Sequence, residues 1–150
     1  MNNERKWILR GGRVLNPAPF CLIGIVNVTP DSFSDGGKYI DPRNAVAHGL
    51  RLLDEGAGML DLGAESTRPF AEPVPEGEEI ARLMPVVARL REQRPDAVLS
   101  VDTLKAGTAR AALEGGADII NDVSACVADP ALLDVLAEYK PGYVLMHSQG

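Results

Sequence analysis

Strand-like and helix-like segments alternate along almost the whole chain, and that alternation restricts the fold more than any other feature of the sequence. CLIGIVNV (21–28) is a short apolar run rich in β-branched residues, and PRNAVAHGLRLLDEGA (42–57) follows it with helical spacing. Ala45, Leu50 and Leu53 fall on one stripe there, and Glu55-Gly56 supplies a stop. GMLDLGA (58–64) reads as the next strand and PEGEEIARLMPVVARLREQRP (75–95) as the next helix. Its Glu76, Glu78 and Glu79 lie near the start and Arg89, Arg91 and Arg94 near the end, as the helix dipole favours. AVLSVD (97–102) and LKAGTARAALEGGA (104–117) repeat the pair, the helix closing on two glycines. DIINDVS (118–124) and DPALLDVLAEYK (129–140) repeat it again, with Asp129 as N-cap and Pro130 at the first helical position. GYVLMHS (142–148) is a fifth strand, and KWILRGGRVL (6–15), a small hairpin turning at Gly11-Gly12, precedes them all.

Such alternation with short connections predicts an α/β fold on a parallel sheet, either doubly wound or a (β/α)8 TIM barrel. Polar residues recur near the C-terminal ends of the strands: Asn27, Asp61, Asp102, Asn121 and His147. In a barrel those ends converge on one mouth, whereas a doubly wound sheet gathers them at one switch point. The pattern leans toward the barrel, with this chain supplying the hairpin and about five of the eight strands. The expected organisation is a single partial barrel domain over residues 1–150, with the C-terminal part of the barrel absent and no linker or second-domain boundary.

Composition excludes several functions. A formal net charge of -6 and a pI near 4.9 argue against a nucleic-acid surface, though not against a local anion site. No apolar run is long enough to span a bilayer, and charges and glycines interrupt any secretory core after MNNERKW. Cys21 and Cys126 lie far apart without CxxC spacing, so they read as buried or partly exposed thiols in a reducing cytoplasm. Neither standard nucleotide-binding glycine loop is present, nor a His/Cys metal cluster. Asn27, Asp31 and Asp35 offer hard oxygen ligands that suit Mg²⁺ on a phosphate better than zinc.

Two constellations carry chemistry. Taken singly, Asp102 in DT ahead of LKAG reads as a helix N-cap. Five strand-end polar groups in register read instead as donors and acceptors for a flat polar heterocycle with N–H groups on one edge. The second constellation is DLGAESTRPF (61–70), where Arg68 has the planar fork for a phosphate or carboxylate and Pro69 limits the loop. Lys105 and Lys140 read as solvated helix-end charges, His48 as a solvent-facing helix residue, and His147 as either a core-lining group or a substrate contact.

These residues sit in longer segments that resemble a known family. IVNVTPDSFSDGG (25–37) and GAGMLDLGAESTRP (56–69) resemble the two signature segments of the dihydropteroate synthases, the sulfonamide-target enzymes of folate biosynthesis. SVDTLKAGTARAALEGGADIINDVSA (100–125) and VLMHSQG (144–150) are similar to that family's following strands, in the expected order. The resemblance implies a (β/α)8 barrel of the pterin-binding type, using Mg²⁺. It also implies condensation of 6-hydroxymethyl-7,8-dihydropterin diphosphate with 4-aminobenzoate to 7,8-dihydropteroate and diphosphate, with sulfonamides as inhibitors and a homodimer in the full-length protein. By the same resemblance Asn27 contacts the metal and diphosphate, and Asp102 and Asn121 bind the pterin edge with Val123 and Met146 beside the ring. Phe33, Asp35, Thr67, Arg68 and Pro69 lie on two loops that shape the 4-aminobenzoate pocket and cover the departing diphosphate, and Asp35, Arg68 and Asp102 are the implied catalytic residues.

Phe70 and Ala64 stand where the family usually has glycine. The family's later lysine-containing GFGK-like and basic RVHD-like motifs do not occur, so this chain alone is expected to turn over little substrate. Two alternatives stand beside the synthase. A pterin-binding corrinoid methyltransferase domain needs the ligands around Asp102 and Asn121 but has no reason to carry TPDSFSDGG. A non-catalytic fragment that self-associates follows from the unpaired edges of an incomplete barrel.

Overall fold

A computed structural model describes residues 6–29, 41–65 and 72–147. Two short strands, β1 (Trp7–Ile8) and β2 (Val14–Leu15), pair antiparallel around a 3-10 turn at Arg10–Gly12. Gly11 and Gly12 adopt φ of 71° and 80° there, the left-handed region in which glycine is favoured. Five aliphatic strands then form one parallel sheet in chain order: β3 (Ile23–Asn27), β4 (Met59–Gly63), β5 (Leu99–Asp102), β6 (Ile119–Asp122) and β7 (Gly142–Leu145). Helices α1 (Pro42–Asp54), α2 (Glu76–Gln93), α3 (Ala106–Glu114) and α4 (Leu132–Tyr139) connect them, each packed on the one before. Every strand neighbours its predecessor. That is barrel-type winding, without the reversal of order that defines a doubly wound sheet.

The two faces of the sheet are used differently. Val26, Leu62, Val101 and Ile120 are register partners and fully buried against the helices, where Leu83, Leu90, Leu113 and Leu132 meet them. Burying one such side chain stabilises by roughly 1.5–3 kcal/mol, so this layer holds helices to sheet. On the opposite face Leu9 and Leu15 of the hairpin region pack with Met59, Val98 and Ile119, closing the N-terminal ends of the strands.

Predicted elements all appear but are shorter at their ends. The helix expected from Asp129 is regular only from Leu132, but Asp129 still caps the turn that leads into it, and its carboxylate serves a second helix as well. Its Oδ1 accepts from the Ala131 N–H at 3.1 Å, and its Oδ2 accepts from the Ala106 N–H at 2.8 Å at the start of α3. Likewise the strand expected to reach residue 148 ends at Leu145, after which the Met146 N–H makes a last ladder bond to the Asp122 carbonyl at 3.2 Å. Cys21 is half-buried and Cys126 buried, both free, as expected of unpaired thiols.

Asp118, buried just before β6, fastens the hairpin to the base of the sheet. Its carboxylate takes Arg91 Nη2 at 2.9 Å, Arg13 Nε at 3.2 Å and the Leu99 N–H at 2.9 Å. The same two guanidinium groups donate to the carbonyls of Pro95 and Ala97. Arg91, expected merely to follow the α2 dipole, therefore has specific partners. Asp118→Ala takes the carboxylate away from two part-buried arginines and leaves the Leu99 N–H without its acceptor, and should lower the unfolding free energy by about 3 kcal/mol in urea titrations. A loss under about 1 kcal/mol, the range of an ordinary surface ion pair, would show that this junction is not holding the base.

Candidate functional site

Parallel pairing sets a single row of residues at the C-terminal end of the sheet. Asn27 pairs with Gly63, Gly63 with Asp102, Asp102 with Asn121, and Asn121 with Val144. Because side chains alternate with a period of two, the row two residues deeper shares its face. That row is Ile25, Asp61, Ser100, Ile119 and Gly142. Asn27, Asp61, Asp102 and Asn121 therefore converge as expected, although Asp61 lies one layer below the others. His147 does not join them. It is exposed beyond β7, and Val144 takes the corresponding place in the row.

The convergence is electrostatically uncomfortable. Asp61 is 8% exposed; its Oδ2 accepts from Asn121 Nδ2 at 2.9 Å, and its buried Oδ1 has no partner among the described residues, as is true of Ser100 Oγ. Asp102 is not the helix cap that its sequence context allows. Thr103 Oγ1 takes the Lys105 N–H, Asp129 Oδ2 takes Ala106 N–H, and Glu76 Oε1 takes Gly107 N–H, so the start of α3 is satisfied without it. Burial, and then the charges of Asp61, Glu79, Asp122 and Glu65, raise the Asp102 carboxyl from 3.8 to about 6. At neutral pH this group is ionised yet unpartnered among the described residues, ready for a ligand that brings N–H donors or positive charge.

Asp122, one residue beyond Asn121, behaves in the opposite way to Asp102. Burial pushes its carboxyl up, but the Ser124 hydroxyl and N–H, the Cys126 N–H at 2.6 Å and the Tyr143 hydroxyl at 2.9 Å all donate to it and hold it below the usual range. Asp122 thus shapes the turn after β6, in which Ala125 and Cys126 take φ of 53° and 61° and Val123 sits half-buried. Met146 is exposed past β7, and Asn27 is exposed on the edge strand β3.

Lys105 corrects its sequence reading. Rather than being solvated, its ammonium donates to Glu79 Oε2 at 2.8 Å and also to Glu65 Oε2, while Thr108 Oγ1 donates to the same Glu79 oxygen at 3.1 Å. Burial lowers the Lys105 affinity for its proton, but the two carboxylates outweigh that and raise it. Glu79, 1% exposed, was legible in principle: it lies at helical spacing from Leu83, Val86 and Leu90 on the buried stripe of α2. His48 is half-buried rather than free in solvent, its Nδ1 3.0 Å from Arg51 Nη2, while Lys140 is exposed as expected.

Phe33, Asp35, Thr67, Arg68 and Pro69 lie outside the described residues, as do Asp31 and Phe70. No group of three or more His, Cys, Asp or Glu able to hold a metal occurs among the described residues. At the edge of the row the exposed amide oxygen of Asn27 is a donor for a cation. That donor fits a hard ion keeping most of its shell as water and phosphate oxygens, as Mg²⁺ does. No helix among the described residues is long and apolar enough to cross a membrane.

Comparison with known proteins points the same way. The family described as "Pterin binding enzyme" matches residues 23–150. The dihydropteroate synthase of Mycobacterium leprae is 50% identical over 130 residues, covering 87% of this chain and 45% of that protein. A solved Xanthomonas albilineans dihydropteroate synthase with 4-aminobenzoic acid superposes with a TM-score of 0.85 at 50% identity, covering 95% of this chain and 52% of that one. The same enzyme in complex with 7,8-dihydropteroate gives a TM-score of 0.78 at 47% identity, covering 93% of this chain and 50% of that one. The chain spans about half the length of the curated relatives it matches.

The raised carboxyl has a stability signature. The folded state holds the Asp102 proton more tightly than the unfolded state, so the stabilisation is fully present below 3.8 and is lost as the pH rises through about 6. The stability of the wild type relative to Asp102→Asn should fall across that window and stay level above it, measured by urea unfolding at stepped pH. A difference that does not change with pH would mean the carboxyl is not perturbed.

Proposed function

The chain belongs to the pterin binding enzyme family, and from that membership we propose that its row of strand-end groups serves dihydropteroate synthesis. The substrates are 6-hydroxymethyl-7,8-dihydropterin diphosphate and 4-aminobenzoate, and the products 7,8-dihydropteroate and diphosphate. The observation that carries the proposal is the ionisable, half-buried Asp102 carboxylate, unpartnered among the described residues and register partner to Asn121.

A pterin edge presents an amino group and a ring N–H, which suit a carboxylate acceptor. The Asn121 amide adds one donor and one acceptor of its own. Adjacent strands stand about 4.8 Å apart, so Asn27 and Asp102, separated by one strand, span roughly 10 Å. That interval suits a flat head bound at Asp102 and Asn121 with a phosphorylated arm reaching toward Asn27. In the reaction the bond between the pterin methylene and diphosphate oxygen breaks, its electron pair leaving with diphosphate. The aniline nitrogen then bonds to the methylene and gives up a proton. Positive charge grows on the methylene and spreads into the ring, where the Asp102 carboxylate favours it. Mg²⁺ held by the Asn27 oxygen and the diphosphate would supply neutralisation of the leaving anion.

Phe33, Asp35, Thr67, Arg68 and Pro69 have the side chains to frame the aniline substrate and cover the leaving group, with Val123 and Met146 beside the ring. The same reading makes sulfonamides competitors of 4-aminobenzoate, and places the protein in the cytoplasm as a homodimer. Its test is to supply both substrates with Mg²⁺ to the full-length protein and follow both products. Diphosphate and dihydropteroate should appear together, and diphosphate release without dihydropteroate would overturn the assignment. Because the bound pterin favours charged Asp102, 6-hydroxymethylpterin should bind up to tenfold more tightly per pH unit as the pH rises toward about 6, and level off above it. Affinity that is equal at pH 5 and pH 7 would rule out Asp102 as the edge ligand.

A further inference from the structure

Three glycines lie inside the strands of the parallel sheet among the described residues: Gly24, Gly63 and Gly142. Two are explained by packing. A Cβ on Gly24 would come within 2.9 Å of Leu60 Cδ2, and one on Gly142 within 2.7 Å of Leu9 Cδ2 and 2.8 Å of Ile119 Cγ1. Gly63 has no such reason. A Cβ there would meet Asp102 Cβ at 3.7 Å and Asp102 Oδ2 at 3.8 Å, ordinary van der Waals contact. Nor does the backbone demand glycine, since the positive-φ glycines are Gly11, Gly12, Gly56 and Gly116. Its carbonyl simply continues the ladder, accepting from the Val28 N–H at 2.7 Å. A glycine in a strand weakens it, and one that neither packing nor torsion requires marks a place where something approaches the backbone closely.

Gly63 stands in the site row between Asn27 and Asp102, and the described residues leave room for a Cβ there. We propose that Gly63 is a specificity-determining residue: the missing side chain leaves a slot beside Asp102 in which a flat heterocyclic ring lies against the β4 backbone. The inference rests on the pterin reading above and adds the residue that selects for a planar ring. A Cβ would fill the floor of the slot within contact distance of the carboxylate, lifting the ring from its edge partners, and a branched side chain would close it.

Gly63→Ala and Gly63→Val in the full chain test this by thermal unfolding and by fluorescence titration with 6-hydroxymethylpterin. The expected result is a Tm for Gly63→Ala equal to or above the wild type, together with at least tenfold weaker pterin binding, and a greater loss for Gly63→Val. A Gly63→Ala protein that binds pterin as tightly as the wild type overturns this inference alone. A marked fall in its Tm also overturns it, because glycine would then be required by the fold. Wild-type protein that binds no pterin overturns the functional reading along with it.

Discussion

Each inward-facing side chain in this protein stands where the parallel ladder puts it, because Asn27, Gly63, Asp102 and Asn121 are successive register partners across four strands. A slip of one residue in any strand would turn its functional group into the helix-facing core and bring Val26, Leu62, Val101 or Ile120 into the mouth. Register therefore links stability to function. The apolar layer under the helices tolerates one alignment, and that alignment is the one that assembles the polar row.

The two ends of the sheet solve the problem of buried charge in contrasting ways. At the base, Asp118 is satisfied by two arginines and a backbone donor, and the result is a fixed junction. At the mouth, Asp122 is saturated by four donors and shapes a turn, while Asp102 close by is left without a partner among the described residues. Lys105 stands near enough to bind carboxylates but is held by Glu65 and Glu79. Its charge goes to the packing of α2 on α3 and does not neutralise Asp102 through a hydrogen bond. An unsatisfied carboxylate costs stability, and its persistence beside Gly63 is what the proposed pterin site explains and a helix cap does not.

Much of this was legible in the sequence. Alternating apolar runs and amphipathic segments located the strands and helices of the described residues, since both periodicities arise from burial of one face. The strand-end residues Asn27, Asp61, Asp102 and Asn121 could be picked out because they interrupt those runs. Pairing was not legible. Lys105 looks like any helix-end lysine until α2 brings Glu79 beside it, and Asp129 is the local cap its position suggests but also serves α3 with its second oxygen. The difference between Asp102 and Asp122 depends on a turn held by Cys126 and Tyr143, which no local pattern announces. Gly63 carries no signal in the sequence, and its significance emerges only when a Cβ there is seen to make no more than ordinary contact with Asp102 among the described residues.

The central claim is that one register-aligned row forms the edge-recognition surface for a pterin. A crystal structure of the chain soaked with 6-hydroxymethylpterin tests it most directly. The ring should lie against the β4 backbone at Gly63, with its amino and N–H edge within hydrogen-bond distance of the Asp102 carboxylate and the Asn121 amide. A ring bound elsewhere on the sheet, or one whose donor edge faces away from Asp102, would contradict it.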